Sequence, residues 1–149
     1  MKTLFILVSA MVVLFLAAPS SVVAQKTNAV TVAANKSWPK FFSEFRAAVS
    51  KRDHAALRKM ISNRFDWTAE ELGLSADDVL RNLDTDSHRQ RGEPRMWIVL
   101  KRSLANGVKI PKWSIGGNQE PTRENRSGSY VLFRYEADGR WRWQSFLGD

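Results

Sequence analysis

Two histidines, His54 and His88, are the only imidazoles in the chain, and each stands beside acid, in Asp53-His54 and in Asp84-Thr85-Asp86-Ser87-His88. A carboxylate that orients an imidazole makes a general base. Adjacency in sequence does not bring side chains together, however. His54 falls at an expected helix start and His88 in an expected loop, so solvated imidazoles are the simpler reading. Asp66, Glu70, Glu71, Asp77, Asp78, Asp84 and Asp86 form an acidic middle. A paired-carboxylate hydrolase needs two acids facing one cleft, whereas several of these suit the first turns of helices, where they complement the dipole. The third supply is aromatic. Six tryptophans are present, and Trp141 and Trp143 alternate with Arg140 and Arg142 while Arg134 precedes Tyr135. Such interleaving stacks on flat ligands and meets anions, or it simply gives a hairpin one core face and one wet face.

The chain has no cysteine, which removes thiol nucleophiles, redox pairs and thiolate metal sites. Two histidines cannot build a three-histidine metal centre. No Gly-x-Ser-x-Gly elbow, phosphate-cradling Gly-rich loop or His-Glu-x-x-His pair occurs. No metal or cofactor is expected, and the balance leans away from catalysis. The residues carried forward as binding candidates are Asp66, Trp67 and Trp113, as an acid beside one indole or the other, and Arg134 and Arg142, as an anion-facing pair.

The elements that must position these residues can be read from spacing. Ser37 and Pro39 suit a helix start, and Trp38, Phe41, Phe42, Phe45 and Val49 recur at helical spacing, predicting a helix from Trp38 to Lys51. Asp53 is placed to cap a second helix bearing Leu57, Met60 and Ile61. Phe65-Asp66-Trp67 is β-compatible. Ser75-Ala76-Asp77-Asp78 reads as a capping box ahead of Val79, Leu80 and Leu83. Asp84 to Gly92 reads as a surface loop. Pro94 opens a further helix with Trp97, Leu100, Lys101 and Leu104 on one side, stopped at Asn106-Gly107. Residues 108–115 read as extended and residues 116–128 as a polar loop. Ser129 to Glu136 and Arg140 to Leu147 alternate as strands. A three-residue loop with Gly139 left-handed sets Phe133 opposite Trp143 and Tyr135 opposite Trp141, and gathers Val131, Phe133, Tyr135, Trp141 and Trp143 on one face. That register also sets Arg134 opposite Arg142, a like-charge pair that calls for an acid or a bound anion.

Lys2, the apolar run Leu4–Ala18 and the small residues Val22-Val23-Ala24 follow the order of a secretory signal, so residues 1–24 are expected to be cleaved. The run is shorter than the roughly 20 apolar residues of a membrane span. Residues 25–36 read as a flexible leader and residues 37–149 as a single domain held by packing alone. Loss of Lys2 leaves 22 basic and 15 acidic residues, a net charge of +7. This excess favours anionic envelope surfaces, or keeps an exported domain in solution. The export signal argues against nucleic acid as partner. Asn35-Lys36-Ser37 and Asn125-Arg126-Ser127 are formal glycosylation sequons.

Phe42-x-x-Phe45-x-x-Ala48-Val49 at one end and Phe133-x-Tyr135-x-x-Asp138-Gly139-x-Trp141-x-Trp143 at the other resemble small exported bacterial proteins of unknown function. The helix and strand order also resembles the nuclear-transport-factor-like, ketosteroid-isomerase-type cone, in which N-terminal helices pack on a curved antiparallel sheet. These likenesses imply an α+β fold, N-terminal helices on a C-terminal antiparallel sheet, in the form of a reduced cone. The expected function is a periplasmic or secreted, non-catalytic envelope module that binds a small molecule or an envelope component. The alternatives are a lyase- or isomerase-type pocket protein of the cone class, and a basic surface module for anionic envelope polymers.

Overall fold

The structure is a computed structural model; it describes residues 20–67, 71–90, 92–110, 121–126 and 129–148. Along the chain it forms α1 (Ser20–Lys51), α2 (His54–Arg58), β1 (Ile61–Asp66), α3 (Ala76–Thr85), β2 (Arg89–Gln90), β3 (Glu93–Pro94), α4 (Arg95–Ala105), β4 (Thr122–Asn125), β5 (Ser129–Tyr135) and β6 (Trp141–Gly148). Four strands make one sheet in the order β1-β6-β5-β4. The fold is α+β, with helices preceding most of the sheet.

The helix expected to start at Trp38 runs on upstream to Ser20, so Pro39 lies inside α1 and not in its first turn. Residues 20–38 contain neither glycine nor another proline, and a polar segment without such breakers can stay helical. Periodicity does not show there because residues 29–33 are exposed all round. At Ala34 the helix meets the sheet: Ala34 is buried, and its carbonyl accepts the Trp141 indole N–H at 3.0 Å. The residues read as a leader are therefore helical, and their last turns are docked.

Asp53 caps α2 as expected, its Oδ1 accepting from Ala56 N at 3.0 Å. The helix closes at Arg58, and Met60 and Ile61 pass into β1 instead of continuing the helical stripe. The Ser75 capping box forms with Asp78 at N3, and α3 buries Val79, Leu80 and Leu83. α4 buries Trp97, Leu100 and Leu104 and ends at Asn106, with Gly107 at φ +77°.

The hairpin adopts the three-residue register: Phe133 faces Trp143, Arg134 faces Arg142 and Tyr135 faces Trp141. Gly139 sits at φ +78°, and Glu136 N donates to Arg140 O at 2.8 Å across the loop. A bulge follows at Leu132/Phe133, so Val131 pairs with Phe146. The sheet departs from the expected antiparallel one in two ways. β1 joins parallel to β6, with Ile61 opposite Trp143 and Trp143 N donating to Met60 O. Residues 122–125, read as part of a loop, form β4 against β5.

Aromatic rings fill the space between α1 and the sheet. Phe133 meets Phe45 edge-on at 5.0 Å and Trp38 at 5.4 Å, and Trp143 meets Phe65 at 4.8 Å. Each edge-to-face pair adds about 0.5–1.5 kcal/mol to the area it buries.

Candidate functional site

The two acid-plus-histidine neighbourhoods are rewired. Asp53 is occupied by its capping bond, and His54 Nε2 instead lies 3.4 Å from Asp84 Oδ2. The His54 ring runs parallel to Trp97 at 6.0 Å, and the Trp97 indole donates to Asp84 Oδ1 at 3.0 Å. Both members of the His54–Asp84 pair are about two-fifths exposed, in the range where an ion pair contributes about 0–1 kcal/mol. His88 Nδ1 lies 3.4 Å from Asp86 Oδ1. Asp86 also accepts from Met96 N at 2.9 Å, supplying the α4 cap that Pro94 lacks. Burial pushes the Asp86 carboxyl up, but the amides of His88 and Met96 outweigh it and hold the group below the ordinary range. These acids thus anchor helix ends. Among the described residues no three His, Asp or Glu side chains gather as a metal site.

Of the sequence-derived binding residues, Asp66 ends β1 with Trp67 just after it, Arg134 lies on β5 and Arg142 on β6. Trp67 packs into the core against Phe146 at 5.5 Å and Phe65 at 6.1 Å. Asp66 is half-buried and accepts from Gly73 N at 3.4 Å. Trp113 lies outside the described residues. Arg134 and Arg142 are brought directly opposite. Arg142 has an acid of its own, since its Nη2 lies 2.9 Å from Asp138 Oδ2.

A groove of about 310 Å³ lies between α1 and the β5–β6 hairpin. Phe41 from α1, Met60 from the α2–β1 link and Trp141 from β6 form its floor. Around them stand Lys40, Lys59, Arg140 and Arg142, with Glu44 the one acid in the lining. Lys40 lies 3.9 Å from Glu44. Lys59 and Arg140 are exposed and have no ion pair among the described residues. The fold builds this arrangement in three steps. Helical spacing puts Lys40 and Glu44 on one side of Phe41, the break after α2 leaves Lys59-Met60 at the sheet edge, and the tight loop presents Arg140 beside Trp141. A second groove, about 580 Å³, is lined on α1 by Trp38, Pro39, Phe42, Ser43, Arg46 and Ala47, and Arg46 stands 5.8 Å over Phe42.

Arg123 was missed from sequence because it sat in the expected loop. It is 9% exposed and points to the core side of β4 opposite Phe133. Its guanidinium donates to Thr122 O at 2.9 Å and to Asn35 Oδ1 at 2.5 Å, and lies 5.5 Å over Trp141 and 5.7 Å over Trp38. No carboxylate pairs with it among the described residues, and burial draws the guanidinium below the ordinary arginine value. Asn125, the second sequon, is buried, and its side-chain nitrogen donates to Ser103 O. The atom that would carry a glycan there faces the protein interior.

No protein-family model matches the chain, and a search among curated proteins finds no match.

Proposed function

We propose that the chain is an exported, non-catalytic envelope module that binds an anionic ligand or partner in the groove between α1 and the β5–β6 hairpin. One observation carries the reading: Lys40, Lys59, Arg140 and Arg142 converge from three distant segments around an apolar floor, and two of them have no acid partner among the described residues. Gathered like charges oppose folding, and a counter-charge from outside relieves them while raising the rate of encounter. The reading takes up the basic surface inferred from sequence but shifts its centre from Arg134 and Arg142 toward Lys59 and Arg140.

Export rests on the leader. Cleavage after Ala24 would fall inside α1 and leave Ala34, whose carbonyl holds the Trp141 indole N–H. No described helix is long and apolar enough to cross a membrane. The same proposal places the chain with the small exported proteins that share its hairpin motif, on a cone-like fold. The pocket-enzyme alternative wants an acid beside Trp67 or Trp113 in an apolar cavity, and Trp113 lies outside the described residues. Trp67 points into the core, while Asp66, the residue before it, is half-buried at the Gly73 turn.

The test is salt-dependent retention on heparin and on anionic vesicles. Lys59→Ala/Arg140→Ala should elute at lower salt than the parent. Arg102→Ala/Lys109→Ala, which removes the same charge from exposed sites outside the groove, should elute close to the parent. Equal losses from both double variants would reduce the effect to net charge and remove the groove as a site.

A further inference from the structure

We infer that the groove's occupant is an amphiphile with a phosphomonoester head and one apolar chain; this rests on the reading that the groove binds an anion. The first ground is the lining itself. Four of its ten residues are cationic, yet the surface it offers is mainly apolar. Long basic side chains produce this when their stems lie along the wall and their charged ends stand at the rim. A bare ion or a fully hydrophilic polyanion would meet the rim and leave the half-buried Phe41 and Met60 uncovered. A chain laid on that floor covers it, and each methylene removed from water tightens binding about fourfold.

The second ground is charge. Glu44 stands beside Lys40, and Asp138 engages Arg142, leaving Lys59 and Arg140 as two cations with no acid partner among the described residues. A phosphomonoester carries about −1.5 to −2 near neutral pH, which matches that deficit. Its oxygens also suit the two donors: the Arg140 guanidinium is a planar fork for a pair of oxygens, and the Lys59 ammonium is a compact charge. The third ground is size. At about 310 Å³ the groove lies at the lower end of ligand pockets and accepts a single chain.

The test is calorimetric titration of the full chain with dodecyl phosphate below its micelle concentration. Inorganic phosphate, decyl and octyl phosphate, and dodecyl maltoside (the same chain with a neutral head) serve as comparisons. Dodecyl phosphate should bind at least tenfold tighter than inorganic phosphate or dodecyl maltoside, and affinity should fall as the chain shortens. Met60→Gln should weaken dodecyl phosphate several-fold while heparin retention stays, and Lys59→Ala/Arg140→Ala should weaken both. Affinity independent of chain length, or equal for dodecyl maltoside, would overturn the inference even if heparin retention by the groove survives. No retention of the parent on heparin, or equal losses from Lys59→Ala/Arg140→Ala and Arg102→Ala/Lys109→Ala, would bring down the underlying reading as well.

Discussion

Replacing Arg123 separates the two ways a buried cation can matter. The guanidinium donates to Thr122 O and Asn35 Oδ1 and lies against Trp38 and Trp141. Hydrogen bonds from a charged donor contribute about 1.5–3 kcal/mol each, and each indole contact about 0.5–2 kcal/mol. Against these stands the desolvation of a charge that is 9% exposed, which costs several kcal/mol. Removing one member of a buried ion pair is normally expensive because the other is stranded. Here no acid is left behind among the described residues. Asn35 is exposed, so its amide oxygen returns to water at little cost. The opposing amounts nearly cancel. Arg123→Met, which keeps the apolar stem between the two indoles, should therefore change unfolding free energy by no more than about 1.5 kcal/mol. Arg123→Ala also deletes the stem and leaves space between the rings, so it should cost about 2–4 kcal/mol. Urea denaturation followed by tryptophan fluorescence reads both. A methionine variant as unstable as the alanine variant would refute this reasoning and make the polar contacts dominant.

Three further outcomes follow from local geometry. Gly139→Ala places a Cβ at φ +78°, with Tyr135 Oη 3.7 Å away as its nearest neighbour, so the cost is conformational, about 1–2 kcal/mol, with no clash; a thermal midpoint equal to the parent's would contradict the left-handed loop. Ser75→Ala removes the α3 cap and should cost about 1 kcal/mol, with faster amide exchange in the first turn of α3 and little change in α4. Arg52 and then Lys101 hold the Glu93 carboxyl below its ordinary value of 4.5. A group lowered in the folded state contributes fully above that ordinary value, and its contribution is lost as pH falls through the lowered one. Glu93→Gln should therefore reduce stability at neutral pH and flatten the decline below about pH 4.5; urea midpoints that fall in parallel for parent and variant would oppose this.

What the sequence makes legible is local. The hairpin register follows from alternation and one glycine, because a slip by one residue would exchange Trp141 and Trp143 with Arg142 between faces. The caps at Asp53 and Ser75 follow from residue type and spacing. What stays hidden is long-range or polar. β4 reads Thr-Arg-Glu-Asn and buries three of these four polar residues, so no apolar alternation announces a strand. The parallel seating of β1 on β6 depends on where α3 and α4 return the chain, which periodicity does not encode. His54 and Asp84 meet across 30 positions, and neither residue type marks the other. The groove has the same character: Lys59 and Arg140 are unremarkable in sequence and matter only because the fold sets them around Phe41, Met60 and Trp141.

The claim that this groove receives anions is tested most directly by amide and indole chemical-shift mapping of residues 25–149 during titration with a soluble heparin oligosaccharide. Binding in the groove should give a contiguous set of shifts at Ser37–Glu44, Lys59-Met60 and Gly139–Arg142, with the Trp141 indole N–H among them. Shifts scattered over every basic surface, or gathered around Arg102 and Lys109 with the groove silent, would contradict it.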